Sequence, residues 1–167
     1  MSKSLFFVVV ILLLALPAAA QETPKAEFFA GYSYFRPEGG GINLHGWNAA
    51  VAGNLNQWFG IVGDFSGHYK SDLDMNLHLF TFGPRLNFRR DRVNAFTHFL
   101  AGGARMKVGS ASDTGFAMVL GGGVDVQLNE KVAFRFFQAD YVMERTWGQS
   151  SNSFRFSAGI NFRFGSK

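Results

Sequence analysis

The sequence predicts an all-β chain, folded as an eight-stranded antiparallel up-and-down barrel, from three observations. The stretch Ser153 to Phe164 alternates strictly, with Phe154, Phe156, Ala158, Ile160, Phe162 and Phe164 on one parity and Ser153, Arg155, Ser157, Gly159, Asn161 and Arg163 on the other. Successive side chains point to opposite faces of a strand, so this segment has one aromatic face and one polar, partly charged face. The chain also holds 20 Phe and 20 Gly but only 4 Pro, and glycines spread evenly disfavour long helices at about 1 kcal/mol each. The same period-2 texture then recurs eight times along the chain.

The first twenty residues stand apart. Lys3 is followed by an unbroken apolar run from Leu5 to Leu16, then Pro17 and Ala18-Ala19-Ala20 before Gln21. The run is too short to span a bilayer as a helix, and it has the charge, length and small-residue ending of a cleavable signal peptide. Residues 1–20 are therefore expected to be removed, leaving 21–167 as one domain. Export permits disulfides, but the chain has no cysteine, which also excludes thiolate chemistry. The formal net charge of +4 includes Lys3 and is too small to point to nucleic acid.

The strands follow in order. Lys25 to Arg36 sets Phe28, Ala30, Tyr32 and Tyr34 against Glu27, Gly31 and Ser33, with Phe29 intruding on the polar parity, and Pro37-Glu38-Gly39-Gly40-Gly41 is a loop. Leu44 to Leu55 carries Trp47, Ala49 and Val51 against Asn48, Ala50 and Ala52, and turns at Asn56-Gln57. Phe59 to Tyr69 sets Phe59, Ile61, Phe65 and Tyr69 against Asp64, Ser66 and His68, with Val62 breaking the polar row. A loop at Lys70-Ser71-Asp72 leads to Asn76–Phe88, where Phe80, Phe82, Leu86 and Phe88 oppose Thr81, Gly83, Arg85 and Asn87. Pro84 falls on the apolar parity and removes a ladder donor. After a turn at Arg89 to Arg92, Ala95 to Lys107 places Arg105 with Thr97, Phe99, Ala101 and Gly103, and His98 with Phe96 and Leu100. Gly109 to Asp113 is a loop, and Gly115 to Gln127 follows with Asp125 on its polar parity. After a turn at Leu128 to Lys131, Val132 to Glu144 is ambiguous, because Arg135 and Asp140 face one side only across a bulge. Arg145 to Ser151 is the last loop. Tight links after strands 2, 4 and 6 and longer ones after strands 1, 3, 5 and 7 give the layout of an up-and-down β-barrel with short turns at one rim and longer loops at the other.

Alternation alone does not say which face is outside. The polar parity is rich in Gly, Ala, Ser and Asn, which suits a narrow eight-stranded interior filled by side chains. Tyr32, Tyr34, Trp47, Trp58, Tyr69 and Phe164 lie near strand ends, where aromatic girdles belong. The aromatic face is therefore assigned to lipid. Charges on the inner face are stable only when paired, so Glu27, Asp64 and Asp125 are expected to pair with Arg85, Arg105, Arg155 and Arg163 as a network plugging the lumen. A pore lined for selectivity is the alternative, and a soluble ligand-binding barrel is a third.

Other chemistry finds little footing. His45, His68, His78 and His98 are isolated; His68 and His78 with Asp72 and Asp74 between them permit a loose metal site, but a solvated hairpin is the expected reading. Ser66 and His68 share a parity, which is a weak signal for a nucleophile and its base. Gly39 to Gly41 and Gly121 to Gly123 lack the strand-turn-helix setting of a phosphate loop; the second triplet is expected to admit a bend or a close neighbour. No catalytic residue, metal or cofactor is expected.

Tyr32-Ser33-Tyr34, Phe82-Gly83-Pro84-Arg85, Gln138-Ala139-Asp140-Tyr141 and the closing Phe162-Arg163-Phe164 resemble the small outer-membrane β-barrel domain family, akin to the OmpA transmembrane domain and OmpX, over the whole mature chain. That resemblance implies a bacterial outer-membrane location with both termini periplasmic, contact with outer-membrane lipid and lipopolysaccharide, and insertion by the barrel-assembly machinery. It implies that Phe162 and Phe164 form the assembly signal, here followed by Gly165-Ser166-Lys167. A monomer with a structural or interaction role is expected, with no nucleic-acid partner and no appended peptidoglycan-binding domain. Pro37 to Asn43 and Arg145 to Ser151 are the expected surface contacts.

Overall fold

The computed structural model describes residues 23–38 and 42–166. The expected signal peptide and Gly39 to Gly41 lie outside the described residues. Eight strands run β1 (Pro24–Pro37), β2 (Leu44–Asn54), β3 (Phe59–Lys70), β4 (Met75–Arg90), β5 (Val93–Val108), β6 (Ala111–Gln127), β7 (Val132–Thr146) and β8 (Gln149–Ser166). Each pairs antiparallel with its sequence neighbour, and β1 pairs with β8, so the sheet closes into a barrel. The closing seam runs from Pro24 opposite Ser166 to Pro37 opposite Ser153. Along it, the rings of Phe28 and Phe162 stack with centroids 6.5 Å apart. Closure leaves no edge strand, the condition for a sheet to enter lipid; the β4–β5 ladder is interrupted at Gly83–Pro84, where proline has no N–H to donate.

The period-2 pattern sorts the side chains as expected. Phe28, Tyr32, Trp47, Phe65, Phe80, Phe99 and Phe116 point outward, and Phe82 and Phe136 are 69% and 72% exposed. Glu27, Asn48, Asp64, Arg85, Asp125 and Arg155 are buried inside. An outward wall of this kind has no favourable contact with water, whereas lipid tails cover it. Thr97 on that wall is satisfied locally, its Oγ1 donating to Gly121 O at 2.8 Å.

The connections correct the sequence reading. Longer loops were expected after strands 3, 5 and 7, but the strands run on to two- and four-residue turns. Val108 pairs with Ala111 across Gly109-Ser110, and Thr146 pairs with Gln149 across Trp147-Gly148. Trp147 and Gly148 both have positive φ, 48° and 72°, which is the type I′ geometry whose twist matches that of the flanking strands. Between β3 and β4 the chain makes a 3-10 turn, Ser71–Leu73, and reverses at Asp74, φ 45°. Residues rich in Gly, Ser and Asp were read as loop because those types favour turns, yet Ala111 to Asp113 and Gln149 to Ser151 extend the barrel wall instead.

Strand β7 contains the bulge on which its facing depends. Arg135 pairs with Gly159 and Gln138 with Ser157, so Phe136 and Phe137 oppose Ala158 alone. The ladder to β6 shifts at the same place. Both phenylalanines therefore point outward while Arg135, Gln138 and Asp140 all point in. Deleting Phe136 restores unbroken alternation with the same pairings on both sides, and that variant is expected to fold. Deleting Ala158 from β8 would turn Ile160 inward and Asn161 outward, and is expected not to fold. Heat-dependent gel migration of the two refolded variants distinguishes the outcomes.

Candidate functional site

The lumen is graded from one rim to the other, and β4 shows the gradient in a single strand. Its inward residues are Leu77 and Leu79, then Thr81, then Arg85 and Asn87. Nearest the β1–β2, β3–β4, β5–β6 and β7–β8 turns, Phe35, Leu44, Leu77, Leu79, Leu100, Val119 and Val142 form a buried apolar cluster. Toward the rim that holds the chain termini, charged and amide side chains take over.

Arg155 is the centre of the charged region. It is fully buried, and from β8 it reaches across the lumen, donating through Nη1 to Asp64 Oδ1 on β3 at 2.6 Å. Through Nη2 and Nε it donates to Asp140 Oδ2 on β7 at 2.7 and 2.9 Å. Ser66 Oγ accepts from the same Nη1 at 3.0 Å, and Asn48 Nδ2 donates to Asp64 Oδ2 at 2.9 Å. His98 Nε2 lies 2.8 Å from Asp140 Oδ1.

Gln138 joins this cluster to a second one. Its Nε2 donates to Asp140 Oδ2 at 2.7 Å, while its Oε1 accepts from Arg135 Nη1 at 2.7 Å. Arg135 forks onto Asp125, Nε to Oδ1 at 2.7 Å and Nη2 to Oδ2 at 3.1 Å, the two-point geometry that makes guanidinium–carboxylate pairs strong. Its guanidinium is sandwiched 4.0 Å from the Phe29 ring and 4.4 Å from the Phe96 ring. Arg85 lies 4.1 Å over the same Phe96 and 3.4 and 3.6 Å from Asp125 and Glu27. Arg89 Nη2 donates to Glu27 Oε1 at 2.7 Å, and Asn161 Nδ2 bridges Glu27 Oε2 and Asp125 Oδ2 at 2.8 and 3.0 Å.

Among the described residues the network holds Arg85, Arg89, Arg135 and Arg155 against Glu27, Asp64, Asp125 and Asp140. Within this network charge is matched, because an unpaired buried ion costs several kcal/mol; Glu144, also buried, lies outside it on β7, with no ion-pair partner among the described residues. A recess of about 20 Å³, room for one water, lies among Glu27, Arg89, Asp125 and Asn161 at the terminal end, and a wider one opens at the same rim beside Gln127, Lys131 and Arg163.

Glu27, Asp64, Arg85, Asp125 and Arg155 thus meet inside the barrel. Arg105 does not. Strand β5 alternates without a bulge from Arg85–His98 to His78–Arg105 in its pairing with β4, so Arg105 is carried outward with Phe99 and is exposed. Arg163 keeps the inner parity opposite Glu27 but sits half-buried at the rim, and Glu27 pairs with Arg85 and Arg89 instead. Phe162 and Phe164 are on the outer wall of β8.

The sequence reading missed Arg89, Arg135, His98 and Asp140. Arg89 was assigned to a turn, although it shares parity with Arg85 and Asn87; Arg135 and Asp140 were separated by the bulge, whose signal was the adjacent pair Phe136-Phe137. Gly121 is part of the same device. A Cβ there would lie 2.1 Å from Asp140 Oδ1 and 2.4 Å from Ala139 O, so the absent side chain makes room for the carboxylate.

Two sequence candidates for other chemistry are placed apart. His68 is buried inside and His78 stands on the outer wall; among the described residues no group of three ligating side chains could hold a metal. Ser66 accepts from Arg155, while His68 Nε2 lies 2.9 Å from Ser33 Oγ, with Ser33 and His68 both fully buried.

No family model and no curated protein matches the sequence. Solved structures match the fold. Neisserial surface protein A superposes with a TM-score of 0.69 at 16% identity, over 83% of this chain and 96% of that one. OprG of Pseudomonas aeruginosa gives 0.57 at 10% identity, over 86% and 97%. The N-terminal β-barrel domain of Pseudomonas aeruginosa OprF gives 0.54 at 11% identity, over 86% and 100%. At these identities the likeness is one of fold, the small eight-stranded barrel of outer-membrane proteins.

Replacing Arg155 by Ala leaves Asp64 and Asp140 without their guanidinium, and is expected to cost about 3–5 kcal/mol. Adding Asp64→Asn and Asp140→Asn to that variant is expected to recover part of the loss. Urea unfolding from lipid vesicles measures both. Gly121→Val is expected to lower the unfolding midpoint by the same assay, since its side chain would occupy the space of Asp140.

Proposed function

We propose that this chain is an integral protein of the bacterial outer membrane, with both termini periplasmic, whose barrel is sealed and whose role is structural or interaction-based rather than catalytic. The observation that carries this reading is the filled lumen: an apolar cluster behind one rim and a charge-matched network behind the other. An eight-stranded wall is just wide enough for side chains to fill it, and here buried arginines and carboxylates occupy the half nearer the termini. The outward aromatic wall supports the membrane reading, and so does the likeness in fold to Neisserial surface protein A and OprG.

The non-catalytic part of the reading rests on access. Ser33 and His68, the one buried serine–histidine contact described, are closed off from any substrate, and His68 Nδ1 meets no orienting carboxylate. The partners this reading assigns are outer-membrane lipid and lipopolysaccharide around the wall, and the barrel-assembly machinery during insertion, with Phe162 and Phe164 on the exposed face of the last strand available to be read. The barrel works as a monomer, since its edges are paired within one chain. Surface contacts fall to the Pro37–Asn43 link and the Trp147 turn.

Refolded protein in planar bilayers is expected to give no steady conductance. Steady, ion-selective current from folded protein would establish the small passive channel in place of the sealed barrel. The processed chain is expected to need detergent to stay in solution and to migrate faster on gels before boiling than after; solubility without detergent would overturn the membrane reading and favour a soluble barrel.

A further inference from the structure

A recess of about 380 Å³ opens on the outer wall where β4 meets β5, lined by Asn76, His78, Phe80, Arg105 and Lys107. The ladder makes it a compact square, with His78 opposite Arg105 and Asn76 opposite Lys107. Opposed side chains on antiparallel strands have Cβ atoms about 4.5–5.5 Å apart, so four donor side chains converge within reach of one tetrahedral anion. His78 is held in place: its ring lies edge-on to Tyr69 at 5.6 Å, and its Nε2 is 3.2 Å from Tyr69 Oη, which accepts from Trp47 Nε1 at 3.2 Å.

Among the described residues neither Arg105 nor Lys107 takes part in an ion pair; of the acids at this end, Asp72 pairs with Lys70 at 3.1 Å, Asp113 accepts from the backbone N–H of Trp147, and Asp74, at the turn before Met75, makes no ion pair. The apolar side of the recess continues away from the rim. Phe80 lies opposite Gly103, and the next outward residue, Phe82, lies opposite Ala101. Two large rings on β4 thus face two small residues on β5, leaving a shallow furrow that runs from the cations into the aromatic wall.

We propose that this recess binds the phosphate-bearing headgroup of a membrane lipid, with an acyl chain lying in the furrow beside Phe80 and Phe82. Arg105 supplies a planar fork for phosphate oxygens and Lys107 a point charge, while Asn76 and His78 complete the ring of donors. A lipid is the occupant because the cations project sideways from the wall at the level of the Trp47–Tyr69–His78 girdle, where headgroups stand. A soluble anion arriving from above the rim would have no use for the furrow. The inference rests on the outer-membrane reading, which makes the phosphorylated glycolipid of the outer leaflet the lipid within reach.

Native mass spectrometry of the folded barrel in detergent tests it, with bisphosphorylated lipid A and its dephosphorylated form offered in equal amounts. The unaltered chain is expected to retain the bisphosphorylated form at least tenfold over the other. Arg105→Ala with Lys107→Ala should remove that preference, and Arg90→Ala with Arg92→Ala, at the opposite rim, should leave it intact. Equal retention of the two lipids by the unaltered chain overturns the proposal without any variant. So does a preference that survives the Arg105/Lys107 change, or displacement of the lipid by an equimolar amount of inositol hexakisphosphate. Heat-dependent migration of every sample separates the two failures: folded, detergent-dependent barrels without lipid preference fail the recess alone, whereas a chain soluble without detergent fails the membrane reading beneath it.

Discussion

One guanidinium holds the interior together. Arg155 lies in the last strand, yet its partners Asp64 and Asp140 come from β3 and β7, so a single side chain ties the seam of the barrel to the wall across the lumen. The remaining ion pairs extend that bond. Gln138 passes it to Arg135, Arg135 to Asp125, and Asn161 from Asp125 to Glu27. Because these groups are buried, each charge is acceptable only while its neighbours remain in place.

The two ends of the interior solve the filling problem differently. Near the turns, leucine and valine side chains from β4 to β7 pack as in a soluble core, with Ser33, His68 and Glu144 buried at the same end. Near the termini, long arginines lie flat against Phe29 and Phe96, so the aromatic rings set inside the barrel act as platforms for charge. This explains why Phe29, on the wrong parity for a lipid-facing aromatic, belongs there.

Much of this was legible in the sequence. Strand number, antiparallel order, the aromatic outer face and the inward set of Glu27, Asp64, Arg85, Asp125 and Arg155 all follow from a period of two, which survives in the chain because each strand has one greasy face. Features that break the period were not legible. Arg135 and Asp140 could be reconciled only by a bulge, and pairing register is a property of two strands rather than one. Arg105 was drawn into the network by its charge, although its parity with Phe99 already pointed outward; charge says nothing about facing. Turn lengths were overestimated because Gly, Ser and Asp mark tight turns and long loops alike, and only backbone angles such as those at Trp147 and Gly148 tell them apart.

The position of Arg155 also sets an order in time. Strand β8 comes last in the chain and closes the wall against β1. Until it arrives, Asp64 and Asp140 lack the cation that lies between them, and the half-built lumen must stay open to water for those carboxylates to remain hydrated. The strand that seals the edge is the one that carries the neutralising charge, so closure of the sheet and neutralisation of Asp64 and Asp140 are tied to the same segment.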